Sequence, residues 1–194
     1  MIHSASHSTV SSDRTGSVQV KLRAAELRVS DPTKEELKKI KRREIYFILD
    51  NILDTYNIGG IFRLADALGV KKIYLCGVTE TPPNTRIKKA SINTTEWIKW
   101  QYFADAKTAI SNLKSQIPSI QVVAIEQDSR SVPYTQIDYK LPIAFVVGNE
   151  TEGCSKKTLK LCDQIAEIPM WGVNKSLNVI ISLGVVSYHA IENL

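Results

Sequence analysis

From residue 45 to the C-terminus, short apolar runs alternate with segments in which apolar residues recur at helical spacing. The apolar runs predict strands over residues 45–49, 71–77, 121–127, 142–148 and 164–170. Helices are predicted over residues 59–68, 104–116 and 155–163, with a last helix from Ser176 to the C-terminus. Near-continuous apolar strands separated by helices are typical of a parallel sheet covered on both faces. The predicted fold class is therefore α/β, a parallel sheet flanked by helices.

The first 44 residues follow a different pattern. Residues 1–20 are rich in Ser, Thr and His with little to bury, which predicts a flexible tail. A charged helix is predicted over residues 30–44, opened by Ser30 or Asp31 as its cap, with Pro32 in its first turn. We expect a tail over residues 1–20, a basic helical extension over 21–44 and one α/β domain over 45–194.

Three polar or glycine-bearing loops follow directly on predicted strand ends. They span residues 50–63, 148–155 and 168–178, and each leads into a predicted helix. In parallel α/β sheets, ligands bind beyond the carboxyl ends of the strands. Free backbone N–H groups at helix starts attract polar ligand groups there. These three loops are therefore the candidate walls of a binding site.

An arginine stands out within the first of these segments. Arg63 lies about 200° from Ile61 around the helix, well off the apolar stripe, so it is expected to point away from the core. One interpretation is a solvated arginine paired with Asp66, three residues on. The other is a functional group held beside a ligand, and the local pattern leaves both open.

The remaining polar residues of the loops also allow two interpretations each. Asn57 is either the N-cap of the Arg63 helix or a site residue, and Ser176 is either an N-cap or a site residue. The double glycine Gly59-Gly60 permits either a close backbone approach or a turn with positive φ. The carboxylates around Glu150 either perturb each other's proton affinity or cap the helix that begins near Ser155.

The charge of the chain points to a polyanionic partner. The formal net charge is +5 and the pI is near 9.0. Basic residues cluster at Arg86, Lys88, Lys89 and Lys99. The same segment, residues 86–103, carries four aromatic residues, which suits RNA binding by stacking and phosphate contacts. The alternative is a short strand whose aromatic side chains alternate into the core.

Several function classes are disfavoured by what the sequence lacks. Cys76, Cys154 and Cys162 show no paired spacing, so neither a disulfide framework nor a zinc site is predicted. No apolar run reaches the roughly 18 to 20 residues of a membrane span, and no secretory signal begins the chain, so a cytoplasmic protein is expected. The dinucleotide and Walker glycine motifs are missing. The position of His189 near the chain end argues against a Ser-His-Asp hydrolase.

Taken together and in order, the three loops resemble the three motifs of the SpoU or TrmH family of RNA 2'-O-ribose methyltransferases, of the SPOUT class. The first motif is matched by Asn57-Ile-Gly-Gly-Ile-Phe-Arg63, with Asp66 to Gly69 following. The second is matched by Val147-Gly-Asn-Glu150 with Glu152-Gly153, and the third by Ile168-Pro-Met170, Gly172 and Ser176-Leu-Asn178. The match extends from about Ile45 to the C-terminus.

This resemblance implies a C-terminal deep trefoil knot that forms a pocket for S-adenosylmethionine (SAM), in a protein that works as a homodimer with the active site near the interface. It also implies that SAM contacts three sets of residues, namely Ala124, Ile125 and Glu126; Val147, Gly148 and Asn149; and Ile168, Met170, Ser176 and Leu177. No metal is implied.

By the same resemblance, Arg63 is the catalytic residue, supported by Asn57, Glu150, Ser176 and Asn178. The expected substrate is RNA, with tRNA favoured over rRNA. The expected RNA-binding residues are Arg63, Arg86, Lys88, Lys89, Lys41, Arg42 and Arg43. A guanidinium is a poor proton acceptor. Arg63 is therefore expected to hold a phosphate and stabilise alkoxide charge, while the proton leaves to Glu150, water or the arginine itself.

One departure from the family concerns residues 90–95. The family often carries a glycine after the first lysine cluster, whereas this chain has Ala-Ser-Ile-Asn-Thr-Thr. The shape of this RNA-facing loop is therefore not predicted by the resemblance. A competing function is a catalytically silent RNA-binding module of the same fold, which would retain RNA but have no affinity for SAM.

Overall fold

The structure, a computed structural model, describes Val10–Ser12, Val18–Val20 and residues 32–194. The chain divides into two compact units, Met1–Lys39 and Ile40–Leu194. Most of the predicted tail over residues 1–20, and residues 21–31 of the predicted extension, lie outside the described residues. The proposed caps Ser30 and Asp31 lie there as well.

The first unit holds a small antiparallel ribbon and a short helix. Strand β1 (Val10–Ser12) pairs with β2 (Val18–Val20), and helix α1 spans Lys34–Lys39. Thr33 accepts a hydrogen bond from the backbone N–H of Glu36, and the Glu36 carboxylate accepts one in return from the backbone N–H of Thr33. This capping box starts the helix later than predicted. The predicted helix over 30–44 was too long, because Arg43 and Glu44 belong to a strand.

The second unit is built on a seven-stranded sheet. Its strands are β3 (Arg43–Asp50), β4 (Val70–Cys76), β5 (Trp100–Phe103), β6 (Gln121–Ile125), β7 (Val132–Pro133), β8 (Ile143–Gly148) and β9 (Gln164–Glu167). They lie in the order β5-β4-β3-β8-β6-β9-β7, and each neighbouring pair is parallel. The α/β prediction is confirmed for this sheet, and all five predicted strands are present.

Helices cover both faces of the sheet. They are α2 (Thr55–Ala67), α3 (Thr85–Ser91), α4 (Ala106–Gln116), α5 (Lys156–Leu159) and α6 (Val179–Glu192). On one face, α2 and α6 bury Ile61 and Leu183 among the alternate strand residues that include Phe47 and Phe145. On the other face, α4 buries Ile110 beside Ile48 and Val146. A strand with apolar side chains on both faces must be covered twice, which explains the two helix layers.

The sequence pattern misjudged several helix boundaries. Helix α2 begins at Thr55 because Asp54 accepts a hydrogen bond from the Tyr56 N–H, so Asn57 is not its cap. Helix α5 ends at Leu159, not at residue 163. Helix α6 begins at Val179 and is capped by Asn178, so the prediction of Ser176 as a cap is wrong. In α2 and α6 the residue that caps the helix is a polar residue two or three positions from the expected one.

Candidate active site

The three predicted loops leave the sheet at its carboxyl edge, and two of them leave side by side. Asp50 at the end of β3 is the register partner of Gly148 at the end of β8. Asn149 donates a hydrogen bond of 2.9 Å from its Nδ2 to the carbonyl of Asn51. The prediction that the carboxyl edge brings distant loops together is therefore confirmed for residues 50–63 and 148–155.

Two carboxamides and one carboxylate connect all three loops. Asn57 Nδ2 donates to Glu150 Oε1 at 2.9 Å, and Asn178 Nδ2 donates to Asn57 Oδ1 at 3.1 Å. The backbone N–H groups of Leu53 and Asp54 also donate to the Glu150 carboxylate, each at 3.1 Å. Asn57 is buried in α2. These contacts hold the three loops in one arrangement.

Hydrogen bonds to the Glu150 carboxylate favour its ionised form. Its partial burial alone would raise the pKa, but the hydrogen bonds from Asn57, Leu53 and Asp54 outweigh burial, and the pKa of Glu150 lies below its ordinary value. A carboxylate whose pKa is lowered in this way is a weak proton acceptor at neutral pH. Glu152, the second carboxylate of this loop, donates its backbone N–H to Asn149, and α5 is capped by Ser155.

A cavity of about 430 Å³ opens between these loops. Its lining includes nine of the ten predicted SAM contacts, namely Ile125, Glu126, Val147, Gly148, Asn149, Ile168, Met170, Ser176 and Leu177, together with Glu150 and Asn178. Ala124, the tenth, is fully buried in the sheet and does not line the cavity. The volume lies within the range of small-molecule sites, about 300–1,000 Å³.

The second loop is folded tightly against the end of β6. A side chain at Gly148 would meet the backbone of Gly153 and Cys154 within 2.5 Å. Gly153 has a φ of +67°, and a Cβ there would meet the Glu126 carboxylate at 2.2 Å. That carboxylate accepts a hydrogen bond of 2.8 Å from the Cys154 N–H. Glycine at both positions therefore allows the loop to form one wall of the cavity.

Arg63 is exposed on α2, as the stripe predicted. The ion-pair interpretation is wrong, because Asp66 Oδ1 instead accepts from Arg42 Nη2 at 3.1 Å and from Trp97 Nε1 at 2.9 Å. Across the described ranges, no residue forms a salt bridge with Arg63. Arg63 does not line the cavity of about 430 Å³, and neither does Asn57.

The double glycine lies inside α2, not in a turn. A Cβ at Gly59 would meet the backbone of Ile87 and Ser91 in α3 within 2.9 Å, and one at Gly60 would meet the Ile180 side chain of α6 at 2.4 Å. The close-approach interpretation therefore holds, with two neighbouring helices as the approaching elements. Gly59 and Gly60 let α3 and α6 pack against the helix that carries Arg63.

Apart from Arg63, the predicted RNA-binding residues fall into two groups, one before and at the start of β3 and one on α3. Lys41, Arg42 and Arg43 lie at the amino end of β3, where the Arg43 N–H donates to the Gly69 carbonyl. Strand β3 has 8 residues, so at about 3.3 Å per residue this edge is more than 20 Å from the site loops. None of the three lines the cavity. Arg42 is paired with Asp66, which lies about one helix turn from Arg63 on α2, and Lys41 and Arg43 are exposed. Their contact with RNA stays a prediction.

The second group lies on α3. Arg86 and Lys89 are exposed, and Lys88 Nζ forms a salt bridge of 3.1 Å with Glu96 Oε1. The aromatic residues of this segment divide between two environments. Trp97, Trp100 and Phe103 are partly buried and pack against the two hydrophobic cores, whereas Tyr102 is 49% exposed.

Sequence reasoning missed part of the cavity lining and the residues that support it. The cavity is also lined by Gln127, Glu167, Lys175 and Ser182. Asp50 is buried and accepts hydrogen bonds from Thr158 Oγ1 at 2.7 Å and from Asn51 Nδ2 at 2.8 Å. Asp50 and Asn51 could have been identified from the sequence, because they are two polar residues directly after the apolar run 45–49.

The cysteines are unsuited to nucleophilic chemistry. Burial raises the pKa of Cys76 to about 12 and that of Cys162 to about 12, and it also raises the pKa of Cys154. A thiol that keeps its proton is a poor nucleophile. In the part of the chain that the structure describes, no helix has both the length and the apolar character to cross a membrane.

Comparison with known proteins identifies the family. The model of the SpoU rRNA Methylase family matches residues 44–188. A tRNA (guanosine(18)-2'-O)-methyltransferase of Aquifex aeolicus is 30% identical over 161 residues, which are 81% of this chain and 72% of that protein.

Two solved structures share the fold. The crystal structure of a TrmH/SpoU tRNA modifying enzyme from A. aeolicus has a TM-score of 0.72 at 25% identity, covering 82% of this chain and 83% of that chain. An AdoMet-bound rRNA methyltransferase from Sinorhizobium meliloti has a TM-score of 0.71 at 31% identity, covering 80% of this chain and 58% of that chain. The sequence match and the shared fold agree, and this chain belongs to the SpoU rRNA methylase family.

Proposed function

We propose that this protein is a SAM-dependent RNA methyltransferase that transfers a methyl group to a ribose 2'-hydroxyl. The cavity at the carboxyl edge of the sheet is the observation that carries this proposal, because nine residues predicted to contact SAM line it. Family membership and the named activity of the A. aeolicus relative support it. The AdoMet-bound S. meliloti structure supports SAM as the methyl donor.

The residues of this cavity, which we call the donor cavity, fit SAM. SAM supplies, when bound, an activated methyl group on a positively charged sulfur. Three carboxylates, those of Glu126, Glu150 and Glu167, line the cavity, against the single ammonium group of Lys175. A lining with net negative charge suits a ligand with a cationic centre. The residues that would hold the donor are those at the ends of β6, β8 and β9 and in the segment before α6.

Arg63 is proposed to act on the RNA and not on the donor. Its exposed guanidinium can hold a phosphate of the RNA and stabilise negative charge that develops on the 2'-oxygen. Glu150 is proposed as a positioning residue, because its oxygens already accept hydrogen bonds from Leu53, Asp54 and Asn57. The proton of the 2'-hydroxyl would then leave to water or to a group on the RNA.

The segment between β9 and α6 is proposed to form the trefoil knot of the family. Its residues Met170, Ser176 and Leu177 line the cavity, and α6 then packs beside α2 at Gly60. This path runs from one wall of the cavity to the helix that carries Arg63. A knotted segment would hold both walls in place.

A homodimer is proposed from the exposed apolar surface of the same region. Helix α6 buries Leu183 and Val186 but leaves Ile181, Val185 and Tyr188 from 37 to 52% exposed. In the preceding segment, Trp171 is 92% exposed and Val173 is 97% exposed. Ile181, Val185 and Tyr188 recur at helical spacing and so share one exposed apolar face of α6, and such a surface marks a protein interface. The occupant proposed is a second copy of the chain.

The substrate is proposed to be tRNA, in the cytoplasm. The A. aeolicus relative is named as a tRNA methyltransferase, whereas the S. meliloti structure is named as an rRNA methyltransferase. The test is to incubate the protein with isotopically labelled SAM and total RNA and then to map the ribose-methylated nucleotide. We expect label in a single tRNA position. Binding of RNA without SAM affinity, measured by titration calorimetry, would instead identify a silent RNA-binding module.

A further inference from the structure

A second concave surface lies at the edge of the sheet beside β5. It consists of two cavities, of about 350 Å³ and about 660 Å³. Because both are lined by Pro83, Asn84 and Trp100, they adjoin and form one continuous groove. We call it the edge groove. Its further lining includes Val78, Thr79, Glu80, Lys88, Glu96 and Tyr102.

The edge groove presents aromatic and proline surface. Trp100 and Tyr102 are two residues apart on β5 and therefore face the same side of the sheet. The Tyr102 hydroxyl donates to the Gly77 carbonyl at 3.0 Å, which fixes the far end of the ring, while the side chain stays half-exposed. Val78 beside it is 65% exposed. Such a surface suits a planar, partly apolar group such as a nucleobase.

A short chain of hydrogen bonds links the edge groove to the donor cavity. Asn149, which lines the donor cavity, donates to the Asn51 carbonyl at 2.9 Å. Asn51 Oδ1 accepts in turn from the backbone N–H of Val78, on the groove, at 3.1 Å. Thr79 accepts a bond of 2.9 Å from the Ile52 N–H. The two concave surfaces are therefore joined through one loop at the carboxyl edge.

Helix α2 packs between the site loops and α3. Asn57 and Gly59 lie about 200° apart around this helix, so they face opposite sides. Asn57 contacts the donor-cavity loops, and Gly59 contacts α3, which carries Lys88 of the groove. Arg63 follows Gly59 by four residues and so lies on the α3 side of the helix. Arg63 itself lines neither the donor cavity nor the edge groove.

Helix α3 is basic and contributes Thr85 and Lys88 to the groove lining. The helix has the sequence TRIKKAS, with three basic residues and no acidic one. Lys88 is paired with Glu96. The groove lining itself holds the carboxylates of Glu80 and Glu96. Arg86 and Lys89 are exposed on α3 outside that lining, and neither forms a salt bridge within the described residues. Aromatic surface beside unpaired positive charge is the combination that binds single-stranded nucleic acid, by base stacking and by phosphate contacts.

We propose that the edge groove binds an unpaired nucleotide of the RNA substrate next to the nucleotide that is methylated. Its base lies against Tyr102 and Trp100, and its phosphates contact Arg86 and Lys89. This proposal rests on the proposed function, because it assumes that the substrate is RNA. It assigns Tyr102, Trp100 and the exposed basic residues of the segment to the substrate, and Trp97 and Phe103 to the fold.

The test compares variants of Tyr102 in steady-state methyl transfer with RNA as the varied substrate. Tyr102→Ala is expected to raise KM for RNA about 5- to 100-fold with little change in kcat, because stacking on one base is lost. Tyr102→Phe keeps the ring and is expected to keep KM within about twofold. Leu141→Ala is the control, since Leu141 is 44% exposed and precedes β8 at the amino edge.

A second pair of variants covers the case in which Tyr102→Ala disturbs folding. Arg86→Ala and Lys89→Ala remove exposed charges, and each is expected to lower the slope of log affinity against log salt by about 1. Lys107→Ala, an exposed lysine on α4, is the control for charge. Unchanged KM and salt slope in an active enzyme would overturn the groove proposal alone. Lack of methyl transfer or of SAM binding by the unmodified protein would overturn the proposed function.

Discussion

The side chains of Asn57 and Asn178, 121 residues apart in the sequence, are joined by a hydrogen bond of 3.1 Å. Asn57 also donates to Glu150 at 2.9 Å, so one buried carboxamide connects the first, second and third loops. Asn178 caps α6 through the Ile180 N–H at 2.9 Å. The start of the last helix is therefore fixed to the helix that carries Arg63.

This contact should couple the stabilities of the two positions. Asn57→Ala leaves the Glu150 carboxylate and the Asn178 amide short of a partner, and we expect a loss of about 1–3 kcal/mol in the free energy of unfolding. Asn178→Ser removes the amide donor but retains a capping hydroxyl. A double-mutant cycle of these two substitutions, measured by urea unfolding, is expected to give a coupling energy of about 1 kcal/mol. Additive losses would show that the contact contributes nothing.

Loss of the Arg63 charge should slow methyl transfer without weakening donor binding. We expect Arg63→Ala to lower kcat about 10²- to 10³-fold, because a group that stabilises developing negative charge is lost. The affinity for SAM, measured by calorimetry, should not change, since Arg63 does not line the donor cavity. Arg63→Lys tests whether a point charge is enough or whether the planar fork is needed. An alanine variant as active as the unmodified enzyme would contradict the assignment.

The lowered pKa of Glu150 makes a prediction about acid stability. A carboxyl whose pKa is lower in the folded state stabilises the protein above its unfolded pKa, and that contribution is lost as pH falls through the folded value. The loss is therefore expected below the ordinary value of 4.5. Between about pH 6 and about pH 3, the Tm of Glu150→Gln should fall less steeply than that of the unmodified protein. Parallel Tm profiles would show that Glu150 has no such role.

The two glycines Gly59 and Gly172 should respond differently to an added methyl group. Gly59→Ala places a Cβ 2.5 Å from the Ala90 Cβ and 2.8 Å from the Ile87 carbonyl oxygen, so α3 must move away from α2. Overpacking of this kind costs about 1–3 kcal/mol. Gly172→Ala meets nothing within 4 Å and should be neutral. Thermal unfolding of both variants, with KM for RNA as a second readout, distinguishes a displaced α3 from a general loss of stability.

The exposed face of α6 should control assembly. Ile181→Asp and Tyr188→Asp place a charge on the apolar surface proposed as the dimer interface, and sedimentation analysis is expected to show monomers. Leu141→Asp is the matched control, because Leu141 is similarly exposed but lies at the amino edge of the sheet. A monomeric unmodified protein, or dimers that persist in both α6 variants, would contradict the proposal.

The apolar runs predicted the sheet well because burial on two faces leaves a strong and local signal. Phe47 and Ile48 point to opposite faces of the sheet and are both fully buried. Helix ends were harder to predict because a cap depends on which of several nearby polar side chains meets the free N–H groups. Asp54 and Asn178 cap α2 and α6, whereas Asn57 and Ser176 were the candidates from sequence.

The site loops were recognisable from sequence, but their contacts were not. The motifs carry the residues that line the donor cavity, yet nothing local indicates that Asp66 binds Arg42 and Trp97 instead of Arg63. The position of Lys41 and Arg43 also depended on strand direction, which puts the start of β3 at the edge opposite the loops. The partner of Asp66 and the location of Lys41 and Arg43 both depend on residues that are distant in sequence.

The engagement of Asp66 by Arg42 and Trp97 has an effect at long range. A guanidinium without a neighbouring counter-ion projects its full charge into the solvent, where it attracts a polyanion before any contact forms. That attraction extends about one Debye length, near 8 Å at physiological ionic strength, and shortens as salt is added. The hydrogen bonds of the Asp66 carboxylate to Arg42 and Trp97 therefore affect the rate at which the protein encounters RNA, and not only the strength of the final complex.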